Sequence, residues 1–410
     1  MSKGVTVNIR SFVTATSVAI ALFLASAWSA VASPAEGATP APAGPPIVLA
    51  MITQEAGPAA IPDSHLAAQA AVNYVNAKLG GAAGRPLKLV TCVTDGSPEE
   101  SSACANQLLA DHPLAFVGES ELGTAGSVPI IAGAGIPIVG PAAVTPELVT
   151  SPDAFSMGIN LVSESADWTK YMTTKGKAKT VNLINLDIAA APIFKEIVAS
   201  VAAANGAKLG VTTSLPETAT DATAQMAAAS AGHPGAILAI TTQQLCVPVM
   251  LAHASVAPDI PLYVPGICGA PNLLRAAGSA ANGVYIGFGY DGPNDTSIPA
   301  VTSYRKALAQ YGSKKIQLSE FASNAFAAVM NLRVIIDQIG PSVTPAAVTS
   351  ALKATVNQPN FMGEPYTCNH RVPLAVSACA SSIRMLKVEN DKLVDVGGAW
   401  YDGTNEIKLG

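Results

Sequence analysis

The sequence predicts an α/β protein of two Rossmann-like lobes with parallel sheets, joined by a hinge of several crossover strands. Three observations predict it. Short apolar runs alternate with Ala-rich stretches at helical spacing. The alternation restarts near residue 161, so one such unit follows another. The composition agrees: of 410 residues, 50% are hydrophobic, 12% charged and 5% aromatic, which suits buried parallel strands flanked by Ala-rich helices. These fractions exclude a disordered chain and a long charged coiled coil. Mean hydropathy is +0.37, yet beyond the first thirty residues no apolar run is long enough to span a bilayer. The formal net charge is −5, and Lys and Arg are scattered, so nucleic acid is not an expected partner.

Residues 1–32 read as a signal peptide. Lys3 and Arg10 supply positive charge, Val18–Ala25 is a short apolar core, and Ala30-Val31-Ala32 is a small-x-small cleavage site. The alternative is a membrane anchor. No Cys lies in this segment, so a lipid-modified N-terminal Cys is excluded. Residues 33–46 are rich in Pro and Ala and should form an extended linker. The expected location is secreted, periplasmic or in the cell envelope.

From Ile47 the elements follow in order. Ile47–Thr53 is an apolar strand. Ser64–Leu79 is a helix stopped by Gly80-Gly81. Leu87–Val93 is a strand, and Pro98–Ala110 a helix with Ser97 as N-cap and Glu99 and Glu100 in its first turn. Strands at Leu114–Val117 and Pro137–Val139 enclose a helix over Ala125–Ala134. The restart then gives helices over Ala166–Thr174, Pro192–Asn205, Ala222–Ala231 and Cys246–Ser255. Between them lie strands at Thr180–Asn185, Lys208–Ser214, Ala236–Ile240, Leu262–Val264 and Gly283–Phe288. A long helix covers Glu320–Ile339, and the last 55 or so residues look β-rich. One lobe is expected to take 47–160 plus 289–380, the other 161–288 plus 381–410. A ligand would sit between them at the C-terminal ends of the strands.

Six cysteines fit an oxidising compartment. They fall in sequence-local pairs, so Cys92–Cys104, Cys246–Cys268 and Cys368–Cys379 is the simplest pairing among several possible. No Cys-x-x-Cys occurs and the His are dispersed. His370 near Cys368 reads as a loop residue, and neither metal nor cofactor is expected.

Several stretches resemble the type I periplasmic solute-binding proteins of ABC transporters, in the branched-chain amino acid (Leu/Ile/Val) branch. Ala70–Val90 is similar to that family's helix-Asn-x-x-Gly-Gly-x-x-Gly-Arg-strand signature, with one extra residue between Asn76 and Gly80. Leu114–Gly118, Ile136–Ala143, Pro146–Leu148, Thr220–Gln225, Ala276–Val284 and Asn360–Gly363 are further matches, in the family's order. The resemblance implies a two-lobed solute-binding protein that hands a small molecule to an ABC permease, with no enzymatic activity. The alternative role is a sensory ligand-binding protein coupled to a signalling partner. It further implies a carboxylate subsite at Ser120 and at the Ala142-Ala143 loop, where Val144 stands in the Thr position and Thr145 follows. The family's Asp-x-x-Tyr-Gly motif has become Asp187-Ile188-Ala189-Ala190-Ala191, which lacks the aromatic wall. Its ammonium-binding acid falls near Ile267-Cys268, where no carboxylate stands.

The candidate ligand-binding residues are Gln54, Ile61, Ser120, Glu121, Ala142, Ala143, Thr145, Asp187, Thr242 and Gly269. Five of the polar ones have a plainer alternative. Ser120 and Glu121 could be a solvated loop, Thr145 and Thr242 helix caps, and Asp187 a loop cap. Ala142–Thr145 could offer backbone N–H groups ahead of a helix at Pro146. An enzyme finds no support, since no Gly-x-Ser-x-Gly elbow, His-Glu-x-x-His helix or P-loop occurs. The chain is expected to act as a monomer. Glu119, Glu121 and Asp187 disfavour an anion, so the expected ligand is neutral or cationic, larger or more apolar than leucine, and not held by a carboxylate.

Overall fold

The computed structural model describes residues 40–408 except Pro58, Ala189, Ala190, His370, Arg371 and Pro373. The signal segment 1–32, the start of the linker and His370 lie outside the described residues. The end of the linker is docked rather than free. Ala43 N–H donates to Gly84 O (2.9 Å), and Arg85 Nε donates to Pro45 O (3.0 Å).

The first sheet is built from β1 (Ile47–Gln54), α1 (Asp63–Lys78), β2 (Leu87–Thr94), α2 (Pro98–Leu109), β3 (Ala115–Val117), α3 (Thr124–Gly133), β4 (Ile138–Val139), α4 (Pro146–Thr150) and β5 (Ala154–Phe155). Its five strands are parallel, in the order β2-β1-β3-β4-β5. β1 is central and almost wholly buried, which is why its residues are apolar without alternation. Ser97 caps α2 by accepting from Glu100 N–H, with Pro98 in the first turn. β5 escapes sequence reading because two residues carry no period.

The second unit runs α5 (Leu161–Thr174), β6 (Thr180–Leu186), α6 (Ala191–Ala204), β7 (Lys208–Leu215), α7 (Thr223–Ser230), β8 (Ala236–Ala239), α8 (Cys246–Val256), β9 (Leu262–Pro265), α9 (Pro271–Ala277) and β10 (Tyr285–Phe288). Its parallel strands are ordered β7-β6-β8-β9-β10, the same winding as the first sheet. After α10 (Pro299–Tyr311), α11 (Glu320–Ile339) and α12 (Pro345–Lys353) come a small hairpin, β11 (Gln358–Asn360) and β12 (Gly363–Tyr366), and then β13 (Ile383–Glu389) and β14 (Lys392–Tyr401). β13 joins β10 antiparallel and β14 follows it, so the second sheet is mixed and seven-stranded, not wholly parallel. The tight turn at Asn390 and Asp391, both at positive φ, suits the twist of that hairpin.

α10 and α11 pack on the first sheet's α1, with Phe326 against Tyr304 (5.0 Å between ring centres) and Tyr74 (6.4 Å). The chain passes between the sheets at 156–160, at 289–298 and at 378–382, and these segments lie side by side. Ser156 bridges Ala378, and a methyl on Gly158 would fall 2.2 Å from the Tyr290 ring. Disulfides join Cys92 to Cys104, Cys246 to Cys268 and Cys368 to Cys379. The second ties the start of α8 to the turn after β9.

Candidate functional site

In both sheets the second strand lies outside the first, so connections leave β1 and β3, and likewise β6 and β8, in opposite directions. The loops diverge there and leave a crevice beyond the C-terminal strand ends. A cavity of about 340 Å³ occupies that position in both sheets at once. From the first sheet it is lined by Gln54 and Ile61 after β1, Ser120–Leu122 after β3, and Val144–Pro146 after β4. From the second come Leu186 and Ile188 at the end of β6, Ile240–Gln243 after β8, and Ile267 after β9. Glu164, Glu320 and Phe321 close it on the side of the crossovers.

Six of the expected residues line this cavity: Gln54, Ile61, Ser120, Glu121, Thr145 and Thr242. Their polar atoms differ in availability. The Gln54 amide is engaged, donating to Asp95 O (3.1 Å) and accepting from Leu122 N–H (3.1 Å), which fastens three loops together. Ile61 N–H donates to Gln54 O at 2.7 Å. The Glu121 carboxylate accepts from Ser101, from Ser127 (2.7 Å) and from Thr94 (3.5 Å). Thr145 stands at the N-cap of α4 without capping it, and its hydroxyl pairs with Thr124 Oγ1 at 2.6 Å. Ser120 Oγ and Thr242 Oγ1 are buried without a hydrogen-bond partner.

The other four do not line it. Ala142 and Ala143 are fully buried, and their N–H groups are taken by Glu119 O (2.8 Å) and Ile159 O (3.0 Å). Asp187 is exposed, because strand alternation turns it away while its neighbours Leu186 and Ile188 face in. Gly269 faces Leu393 and Ile286, on the β10–β14 side.

Two acids that sequence reasoning did not place at the site stand in it. Glu164 lies in the first turn of α5, whose N-cap Asn160 accepts from Ser163 N–H. Glu320 opens α11, whose N-cap Ser319 accepts from Ala322 N–H. Both are buried, at 2% and 1% exposure. Glu320 Oε1 accepts from Gly289 N–H at 2.6 Å, and its carboxyl lies where a side chain on Gly266 would be: a methyl there would sit 2.1 Å from Oε2. Burial pushes the Glu320 carboxyl up to about 8. Burial, and then the charge of Glu320, hold Glu164 well above the usual carboxylate range. Glu119, beside the cavity and wholly buried, is also raised well above it by burial and by Glu121. The usable signal was the pairing of a cap with a first-turn acid, Asn160/Glu164 and Ser319/Glu320. Sequence reading began α5 at Ala166 and so left Glu164 in a loop.

The lining is otherwise aliphatic, with Phe321 as its aromatic residue. It holds four glutamates (Glu121, Glu164, Glu217 and Glu320) and no Lys, Arg or His among the described residues. The described residues contain no cluster fit to hold a metal ion. An apolar enclosure with a few unpaired polar atoms has the make-up of small-molecule pockets.

The periplasmic binding protein family model matches residues 46–380, and the chain belongs to that family. It is a family of extracytoplasmic ligand-binding proteins rather than enzymes. Among solved structures, a leucine binding protein from Thermotoga maritima aligns with a TM-score of 0.71 at 15% identity, over 87% of this chain and 99% of its own. A fatty acid ABC transporter substrate-binding protein from Thermomonospora curvata gives 0.72 at 16%, over 87% and 92%. A solute-binding protein of an R. palustris ABC transporter, in complex with benzoate, gives 0.70 at 17%, over 86% and 96%. At these identities the likeness establishes the fold. No curated protein matches the chain.

Proposed function

We propose that this chain is an extracytoplasmic solute-binding protein that captures a small molecule in the cavity between its two sheets and delivers it, as a monomer, to an ABC permease. The lobes are 47–160 with 289–380 and 161–288 with 381–410. The observation that carries the reading is a single cavity bounded by the strand ends of both sheets, at the point where each reverses its winding. A ligand touching both lobes favours the closed arrangement, which is the form a permease can distinguish from the open one. Ser120 and Thr242, one from each lobe, are the hydroxyls free to bond it.

The ligand is neutral or cationic, and larger or more apolar than leucine. The acidic lining opposes a carboxylate, and aliphatic walls favour apolar surface at about 25 cal/mol per Å² buried. A thermal-shift panel of amino acids, amides, polyamines, and aromatic and terpenoid compounds tests this. The expected result is stabilisation by compounds without a carboxylate. A shift with leucine, isoleucine or valine alone would sink the ligand class and leave solute capture standing.

A further inference from the structure

We propose that the cavity seats a cationic head group, an ammonium or an amidinium, between the carboxyls of Glu164 and Glu320, with the ligand's apolar body against the aliphatic lining. This rests on the cavity being the solute site and narrows the ligand to one charge. The two acids reach the cavity from different parts of the fold. Glu164 belongs to α5, beside the second sheet, and Glu320 to α11, which packs on α1 of the first.

The protein's own groups leave the pair without a counter-charge. Glu164 Oε1 has no hydrogen-bond partner, and Glu320 has a single N–H on Oε1. The nearby groups supply no cation. Asp167, three residues along α5, accepts from Gly403 N–H, and the Tyr290 hydroxyl donates to Asn324 Oδ1 at 2.8 Å. Glu121 already accepts from three hydroxyls, so it does not compete for a ligand. Independently of the acids, Ser120 Oγ lines the same cavity at 1% exposure with no partner, as expected of a group that awaits a ligand atom. A buried carboxylate without a partner is strongly unfavourable, and an ammonium that donates to both acids lets them ionise as a charge-assisted pair. A carboxylate ligand would bring no counter-charge to the pair, and a neutral one would leave Glu164 as it is.

Matched triads on one skeleton isolate the charge: cyclohexylmethylamine, cyclohexylmethanol and cyclohexanecarboxylate, with benzylamine, benzyl alcohol and benzoate as the second set. Calorimetric titration at neutral pH should find each amine bound about tenfold or more tighter than its alcohol, the scale of a charge-assisted hydrogen bond. Glu164→Gln and Glu320→Gln should each lose about tenfold for the amines and change the alcohols little. Gln keeps the shape of the protonated acid and cannot ionise, so the variants should melt no lower than the parent, which separates lost binding from lost fold. Amines that bind no tighter than their alcohols, or not at all, overturn the proposal, as do Gln variants that keep full amine affinity. Carboxylates or alcohols that bind where amines do not would overturn the cationic assignment alone. A chain that takes up none of these compounds, and none of the wider panel, refutes solute capture as well.

Discussion

The ligand-free protein should lose thermal stability as pH rises from 6.5 to 8. Glu119, Glu164, Asp167 and Glu320 are wholly buried acids whose carboxyls are raised in the folded chain, chiefly by burial. In the unfolded chain such groups ionise near 4 to 5. Each therefore keeps a proton in the folded state that the unfolded state has already lost. The stabilisation is complete below the unfolded value and is lost as pH climbs towards the folded one. For Glu320, raised to about 8, the loss across this window is roughly 2 kcal/mol. His253 works in the opposite sense. Burial lowers its ring from the ordinary 6.5, so it raises stability with pH only up to that value, and the window above it belongs to the acids. Melting temperatures at pH 6.5, 7, 7.5 and 8 should fall by several degrees, and Glu320→Gln should flatten the fall. A level or rising profile would show that these carboxyls are ionised in the folded protein.

Gly81→Ala should destabilise the protein by about 3 kcal/mol, and Gly84→Ala by only about 1. Both glycines sit in the turn from α1 to β2 at nearly the same positive φ, 77° and 75°. An L side chain is strained equally at each. Their surroundings differ. A methyl on Gly81 would lie 2.1 Å from Arg85 O and 2.8 Å from Pro42 Cβ, whereas nothing stands within 4 Å of one on Gly84. The Arg85 carbonyl cannot retreat without breaking its bond from Ala82 N–H. Urea unfolding of the two variants separates conformational strain from collision, and equal losses would contradict the tight packing of this turn.

That turn illustrates what was legible. Glycines at 80, 81 and 84 between a helical and a strand pattern announce positive φ, and the structure has it at all three. Ser97 with Pro98 announces the start of α2 for equally local reasons. Long elements with buried faces, such as α1, β1 and α11, are read from sequence to within a residue or two. What was missed depends on locally broken periodicity or on distant partners. α5 begins at Leu161 because Asn160 caps it, but Ser163, Glu164 and Ser165 break the apolar spacing that would have announced it. Ala142 and Ala143 offered backbone donors on paper, and those donors are used by residues 23 and 16 positions away, Glu119 and Ile159. Glu164 and Glu320 are far apart in sequence, and only the folded chain brings them to one cavity.

The acids alter the meaning of the family resemblance. The leucine, fatty acid and benzoate named for the structural neighbours all carry a carboxylate. In this chain the loop positions compared with a carboxylate subsite are partly closed. Thr145 is engaged with Thr124, and the Ala142 and Ala143 N–H groups are already bonded. The fold is retained, while the ligand proposed for this chain differs from theirs in charge.

Small-angle X-ray scattering tests the central claim, capture between two lobes, most directly. Three crossover segments lie side by side between the sheets, and the cavity is lined from both sides. At a saturating concentration of a compound that binds, cyclohexylmethylamine first, the radius of gyration should fall below that of the ligand-free protein as the lobes close. Glu164→Gln should need about tenfold more of the compound for the same fall. An unchanged radius in the parent protein, with binding verified by calorimetry in the same sample, would contradict closure of the lobes on the ligand.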